Sequence, residues 1–147
     1  MMLRTSISLA IALALAAPAL AQTGHVAERQ AIMKGNGKGA KAGGAMLKGE
    51  VPFDAAAAQK ILSDMAAGAK AFGTHFPKGS ETGGDTEAAP AVWTKPAEWK
   101  AAVAKFEKDT AAAAATRPAA LPAFGQAFST VTANCKSCHE AFKIKKG

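Results

Sequence analysis

Five consecutive residues near the carboxyl end constrain this chain more than any other feature: Cys135-Lys136-Ser137-Cys138-His139. Two cysteines separated by two residues and followed at once by a histidine form the attachment motif of a c-type haem. The two thiols can add to the two vinyl groups of the haem, and the imidazole can bind the iron as its proximal ligand. On a helix, Cys135 and Cys138 share one face, so both can reach the same edge of a flat ring. We therefore predict one covalently attached haem c, with His139 as an iron ligand.

Other uses of a cysteine pair fit this chain less well. A thioredoxin-like redox pair needs a strand–helix–strand context, and the sequence shows none. A zinc site needs four ligands, and no good fourth ligand stands near His139. A disulfide within one helical turn would be strained. The chain has two cysteines in all, both in the motif, so a disulfide or redox pair is the main alternative to haem attachment.

The amino-terminal segment has the pattern of a secretory signal peptide. Arg4 precedes an uncharged apolar run at residues 7–17, and Ala19-Leu20-Ala21 has the small residues of a cleavage site. The apolar run is too short to cross a bilayer comfortably. We predict that residues 1–21 are removed and that residues 22–147 form one domain with no transmembrane segment. Haem attachment outside the cytoplasmic membrane agrees with export, so the expected location is a bacterial periplasm.

The charge balance is basic: 18 lysines and arginines against 11 acidic residues give a formal net charge of +7. A basic surface can attract an acidic redox partner protein or an anionic membrane surface. It is equally compatible with a lysine-rich surface that serves only solubility. An exported chain without a basic and aromatic platform is not expected to bind nucleic acid.

The alanine-rich sequence with almost no strand-like alternation predicts an all-α fold. Prolines and capping residues divide the chain into four expected helices, near residues 25–48, 55–71, 96–115 and 122–145. Asp54 is the expected N-cap of the second helix, and Thr94 that of the third, which begins near Pro96. Mostly short connections favour an antiparallel up-down-up-down four-helix bundle. The one long connection, residues 73–91, is rich in turn-forming residues and can lie across one end of the bundle.

The last expected helix carries an unbroken seam of apolar positions at alternating spacings of four and three. The seam consists of Phe124, Phe128, Val131, Cys135, Cys138 and Phe142. Since both cysteines lie on it, the haem is expected to enter the core of the bundle and not to sit on its surface.

The first expected helix is unusually rich in glycine. Its glycines are Gly35, Gly37, Gly39, Gly43 and Gly44. Each costs about 1 kcal/mol relative to alanine. Such a cost indicates that bare backbone is needed for the close approach of a haem or a neighbouring helix; the alternative is a frayed or broken helix.

The level of side chains in an antiparallel bundle points to a candidate for the other face of the iron. With a rise of 1.5 Å per residue, Met33 and His139 lie about 12 and about 9 Å from the same end. This predicts Met33 as the sixth ligand, and an apolar wall without a sixth bond is the alternative. Other candidates fit less well: Met46 lies too far along the first helix, and Met65 belongs to the apolar stripe of the second. His25 lies at the amino-terminal end of the exported chain, and His75 lies in the long connection.

The order of these features resembles the cytochrome c′ family over essentially the whole exported chain. The resemblance is carried by residues 135–143, by Arg29-Gln30-Ala31-Ile32-Met33 and by the turn at residues 49–54. In the high-spin branch of that family, a bulky residue four after the arginine leaves the iron five-coordinate and open to small gases. In the low-spin branch, a methionine closes that site. Met33 stands at this position, so the resemblance implies the low-spin His/Met branch.

The resemblance has two further implications. Arg29 is expected to lie near a haem propionate, with an exposed arginine as the alternative. Family members commonly form homodimers through the first two helices, a contact that the glycine-dense first helix of this chain puts in question.

These features predict a periplasmic one-electron carrier that serves redox partner proteins and is not an enzyme. The alternative is a five-coordinate cytochrome c′ that binds nitric oxide or carbon monoxide. A third and weaker hypothesis is a catalytic haem such as a peroxidase, for which His75 is the only candidate acid–base residue.

Overall fold

The computed structural model of the chain describes residues 16–144, and side chains from residue 24. The helices in this range are α1 Ala16–Leu47, α2 Ala55–Phe72, α3 Ala91–Thr94, α4 Pro96–Ala115 and α5 Leu121–Phe142. The predicted all-α fold is confirmed. Most of the predicted signal peptide, residues 1–15, lies outside the described residues, whereas residues 16–21 form the first turns of α1. Within the described range, no helix combines the length and the apolar character needed to cross a membrane.

Capping chemistry explains where α2 and α4 begin. The backbone N–H of Ala57 donates to Asp54 Oδ1 at 2.7 Å, so Asp54 is the predicted N-cap of α2. Pro96 opens α4, because proline lacks the N–H that would be unsatisfied at the first position of a helix. Thr94 does not cap α4 as expected; it ends α3, and its hydroxyl donates to the carbonyl of Pro90 at 3.2 Å.

Two helix ends differ from the prediction. α1 begins at Ala16 and not near residue 25. α5 ends at Phe142 and not at residue 145, because the following chain is extended and pairs with the long connection. There the N–H of Ile144 donates to the Glu87 carbonyl at 2.8 Å, and an isolated antiparallel bridge joins Lys143 to Ala88.

Contacts between the long helices establish their directions. A Cβ at Gly39 of α1 would lie 2.9 Å from Met65 Cε of α2, and a Cβ at Gly68 would lie 3.2 Å from Ile32. Residue numbers therefore rise along α1 as they fall along α2. The other neighbouring pairs show the same relation: Gln59 with Ala114, Gly73 with Val103, Trp99 with Phe142, Asp109 with Asn134, Gly43 with Phe128, and Leu47 with Gly125. Helices α1, α2, α4 and α5 thus form the predicted up-down-up-down bundle.

The glycines of α1 serve close packing at two positions. A Cβ at Gly43 would lie 2.5 Å from the ring of Phe128 on α5, and Gly39 meets Met65 and Ile61 of α2. These two glycines confirm the expectation of close helix approach. Gly35, Gly37 and Gly44 face open space instead, since no other atom lies within 4 Å of a Cβ built on them.

The core has two hydrophobic clusters along the bundle. One contains the fully buried Leu62, Phe124 and Val131 and lies toward the turn between α1 and α2. The second contains Phe72, Val92, Trp99 and Phe142 and lies at the opposite end, under the long connection. The connection therefore covers the bundle end that carries the cysteine motif.

Candidate haem site

Two adjoining cavities lie between α1, α2, α4 and α5, at the end of the bundle that the long connection covers. Their volumes are about 160 and 270 Å³, and both are lined by Met33, Phe72, Cys138 and His139. Together they fall in the range of roughly 300–1,000 Å³ that is usual for cofactor sites. The lining is mainly apolar, and most of the polar side chains line the smaller cavity.

The cysteine motif lies on the last turns of α5. Cys138 is half-buried and lines both cavities, whereas Cys135 is exposed and lines only the larger one. No disulfide joins them, and partial desolvation raises the pKa of each thiol. The predicted seam therefore runs from a buried phenylalanine pair, Phe124 and Phe128, to thiols at the cavity wall. From this position, the two thiols can bind one edge of a haem that occupies the cavity.

His139 follows Cys138 and also lines both cavities. Partial burial lowers the pKa of its imidazole, the nearby Lys143 ammonium acts in the same direction, and Glu87 opposes them. Lys143 and Glu87 themselves form an ion pair at 3.0 Å. A lowered pKa favours the neutral imidazole, which is the form that binds a metal ion.

Met33 reaches the same cavities from α1, the helix that runs antiparallel to α5. It is half-buried, and its sulfur lies 3.9 Å from Asn36 Nδ2, which donates to it. The structure thus brings Met33 and His139 together at one level, as the sequence predicted. Met65, interpreted from sequence as a core residue, is indeed 3% exposed but also lines the larger cavity, so the site contains a second thioether.

Arg29 is buried beside the smaller cavity and is not exposed on the helix surface. It is 5% exposed, and its Nη2 donates to the Ser80 carbonyl at 3.0 Å and to Thr86 Oγ1 at 3.2 Å. Its guanidinium lies over the ring of Phe76, 4.7 Å from the centroid. Burial lowers its pKa, although the Glu81 carboxylate acts against this. In the described part of the chain no carboxylate forms an ion pair with Arg29, so its charge is available to an anionic group in the cavity.

An aromatic wall that sequence reasoning had not assigned to the site closes one side of it. The Phe76 and Trp99 ring centroids are 4.5 Å apart, and those of Trp99 and Phe142 are 5.2 Å apart. Phe72, Trp99 and Phe142 lie on apolar helix stripes and could have been found from the periodicity. Phe76 lies in the long connection, where no periodicity signals its role.

The structure supports neither a catalytic haem that uses His75 nor a zinc site at the cysteine motif. His75 does not line either cavity; its ring lies 5.8 Å from that of His25 at the bundle end. Among the described residues, no three His, Cys, Asp or Glu side chains are grouped to hold a metal ion, as a zinc site would require.

The residues present fit a haem c. Two thiols and an imidazole lie on one helix beside an apolar cavity, which suits the edge and the faces of a macrocycle. Two cations, Arg29 and Lys143, line the smaller cavity, where they suit the propionates.

Comparison with known proteins gives the same family. The family model described as cytochrome c′ matches residues 24–143. Cytochrome c-556 of Agrobacterium fabrum is 39% identical over 132 residues, which cover 90% of this chain and 89% of that protein. The structure of cytochrome c′ from Rhodopseudomonas palustris superposes with a TM-score of 0.77 at 39% identity, covering 84% of this chain and 98% of that one.

A third similar protein is a variant of cytochrome c′ from Alcaligenes xylosoxidans, solved in the ferrous state with bound nitric oxide. Its TM-score is 0.75 at 27% identity, and the match covers 85% of this chain and 97% of that one. These likenesses extend over nearly all of the described bundle. The chain therefore belongs to the cytochrome c′ family, the electron-transfer haem proteins with one covalently attached haem c.

Proposed function

We propose that the chain is a periplasmic one-electron carrier whose haem iron is ligated by His139 and Met33. The observation that carries the proposal is that these two side chains line the same two cavities from antiparallel helices. Cys135 and Cys138 are proposed as the thioether attachment points, and Arg29 as a contact of a propionate. When bound, the haem supplies a ferric–ferrous couple, and thioether ligation favours the ferrous state.

In this proposal, residues around the cavity set the protonation of His139 and limit the access of water. Partial burial and Lys143 lower the pKa of His139, which favours the neutral imidazole that can bind a metal ion. The rings of Phe72, Trp99 and Phe142 keep water from the cavity. The larger cavity is lined by one ionisable imidazole, that of His139, and by no carboxylate. The larger cavity therefore offers no distal acid–base pair, and we propose that the chain is an electron carrier and not an enzyme.

Spectra of the oxidised protein test the ligand pair. A His/Met-ligated low-spin ferric haem gives a near-infrared methionine-to-iron charge-transfer band at neutral pH, and Met33→Ala should abolish it. Met65→Leu is the matched control, because Met65 is the second thioether of the cavity. A band that persists in Met33→Ala but disappears in Met65→Leu would identify Met65, and not Met33, as the sixth ligand.

A second candidate function is the binding of nitric oxide or carbon monoxide by a five-coordinate iron. The relatives support it: taken alone, they favour this function at least as well as the carrier, since most of the solved neighbours are named cytochrome c′ and one holds nitric oxide. In this function Met33 would be part of an apolar wall. A high-spin ferric spectrum of the wild-type protein would establish this candidate and exclude the His/Met carrier.

The attachment points are tested by mass. The intact protein should carry the mass of one haem that acidified organic solvent does not extract. Cys135→Ala and Cys138→Ala should each lose one thioether, and the double variant should release all haem into the solvent. Haem that leaves the wild-type chain in the same solvent would exclude covalent attachment through the motif.

We also propose that the chain is exported to the periplasm and that it can form a homodimer. Removal of residues 1–21 on export would leave a mature chain that starts at Gln22, which mass spectrometry of periplasmic protein can test. A homodimer through α1 and α2 would be detected by sedimentation. A solved neighbour with a TM-score of 0.77 is described as having a ligand-controlled dimer dissociation, so sedimentation should be compared with and without carbon monoxide.

A further inference from the structure

Three lysines form a row on the outer face of α1. Lys34, Lys38 and Lys41 follow one another at spacings of four and three, which places them on one face of the helix. All three are exposed, and within the described residues none of them forms an ion pair. The sequence from residue 29 to 49 contains no acidic residue. The row is therefore an uncompensated positive surface.

The row borders the larger cavity. Met33 and Gly37 of α1 line that cavity. Lys34 and Lys41 come three residues before and four residues after Gly37, so they are its neighbours on the surface of the helix. Gly37 is exposed as well as cavity-lining, so it lies where the cavity meets the protein surface. A Cβ at Gly37 would have no neighbour within 4 Å. A partner can thus approach the backbone closely beside the row.

A fourth lysine stands on the other side of this opening. Leu47 of α1 packs on Gly125 of α5, where a Cβ would lie 3.2 Å from Leu47. Lys136 comes eleven residues after Gly125, about three helical turns later, so it projects from the same side of α5. It lies between the two motif cysteines and is exposed, and its ion pair with Glu140 is long, at 3.8 Å, and solvated.

We propose that this basic face, made of Lys34, Lys38, Lys41 and Lys136, is the docking surface for an acidic redox partner protein. The inference rests on the proposed function and names the kind of partner. The four ammonium groups, of which that of Lys136 pairs with Glu140, lie beside the place where the cofactor cavity opens between α1 and α5. An acidic partner would be steered to this place, which shortens the path for the electron. With haem bound, one electron would pass from a reduced partner to the oxidised protein, or from the reduced protein to an oxidised partner.

An anionic membrane is the other class of surface that lysines attract, and the composition of the face argues against it. Membrane-surface binding usually combines basic residues with apolar side chains that enter the lipid. The exposed large hydrophobic residues of the described chain are Leu47, Val51 and Ile144. Leu47 packs on Gly125, which is eleven residues or about 16 Å along α5 from Lys136, and Val51 and Ile144 lie outside α1 and α5, so the basic face itself carries no exposed large hydrophobic side chain.

Electron-transfer kinetics of the haem-loaded protein test the proposal with two flavin probes of different charge. Reduced flavodoxin is an acidic protein, and the semiquinone of lumiflavin is a free flavin that is uncharged at neutral pH; each gives one electron to the oxidised protein. We expect Lys34→Gln/Lys38→Gln/Lys41→Gln to lower the ratio of the flavodoxin rate to the lumiflavin rate about tenfold at low ionic strength. The difference should shrink as salt is added, because screening weakens steering.

A control variant that loses the same number of lysines elsewhere on the surface shows whether the position of the lysines matters or only the net charge. Lys60→Gln/Lys70→Gln/Lys100→Gln removes three exposed lysines from α2 and α4 and should change the ratio less than twofold. Equal losses in both triple variants, or no loss in the first, would overturn the proposal. So would loss of sedimentation with phosphatidylglycerol vesicles in the first variant with no change in the flavodoxin rate. If the wild-type protein accepts no electron even from lumiflavin, the proposed carrier function fails instead.

Discussion

The side-chain amide of Asn134 donates to Asp109 Oδ2 at 2.9 Å and so links α5 to α4 one residue before the first cysteine of the motif. Asn134 is 4% exposed, and its Oδ1 accepts from Lys105 Nζ at 3.2 Å. Lys105 also binds Asp109. These three polar side chains fix the turn of α5 that presents Cys135 to the cavity.

Removal of the Asn134 amide should therefore destabilise the protein. Asn134→Ala leaves the half-buried Asp109 with one partner fewer, and we expect unfolding to become easier by about 1–3 kcal/mol. Thermal unfolding of the haem-loaded protein measures the change. Ser137→Ala, on the exposed side of the same helix, is the control and should leave the midpoint within experimental error.

The same contacts predict a dependence of stability on pH. Hydrogen bonds from Lys105 and then Asn134 hold the pKa of Asp109 below its ordinary value. A carboxyl group whose pKa is lower in the folded state stabilises that state above its unfolded pKa, and this contribution is lost as the pH falls through the folded pKa. The difference in melting temperature between wild type and Asp109→Asn should thus be largest at neutral pH. It should begin to shrink as the pH falls below the ordinary aspartate pKa of about 3.9, and it should vanish below the lowered pKa of the folded state.

Asp64→Asn is the matched control for this experiment. Asp64 also pairs with a lysine one turn away, but both side chains are more than 60% exposed. Exposed pairs contribute about 0–1 kcal/mol. A pH profile of Asp109→Asn that is no different from that of Asp64→Asn would contradict the role of the buried link.

Two glycines of α1 should respond to alanine in opposite directions. A Cβ at Gly43 would lie 2.5 Å from Phe128 and 3.1 Å from Phe124, so Gly43→Ala should destabilise by about 1–3 kcal/mol through overpacking. Gly35 faces open space, and Gly35→Ala should stabilise by up to about 1 kcal/mol through helix propensity. Denaturant unfolding measures both, and equal signs for the two would show that α1 and α5 do not pack as described.

The cap of α2 gives a prediction that is independent of the haem site. Asp54→Ala removes the acceptor of the Ala57 N–H and should cost about 0.5–2 kcal/mol. Asp54→Asn keeps a side-chain oxygen at the cap and should retain most of the stability. The helical circular dichroism signal during thermal unfolding reports both variants, and an unchanged midpoint in Asp54→Ala would refute the cap.

Local sequence patterns predicted the four long helices because helix formation and helix starts depend mainly on residues close together in the sequence. The proline at the start of α4 and the aspartate at the start of α2 act on neighbouring backbone groups, so the sequence alone located both ends. The end of α5 could not be located in this way, since a pairing with Glu87 and Ala88 ends it. That pairing joins segments more than fifty residues apart in the sequence.

The sequence by itself determined the chemistry that five adjacent residues carry, because thiols and imidazole at fixed spacing on a helix need no distant residue to make them a haem motif. It also placed Met33 at the level of His139, since rise per residue and antiparallel direction suffice for that. Only the tertiary structure decided that Arg29 is buried under Ser80 and Phe76, that Phe76 joins the aromatic wall, and that Met65 reaches the cavity. The first two depend on how the long connection folds over the end of the bundle, and this connection has no helical periodicity to predict from. The third depends on which side of α2 borders the cavity, which periodicity does not specify either.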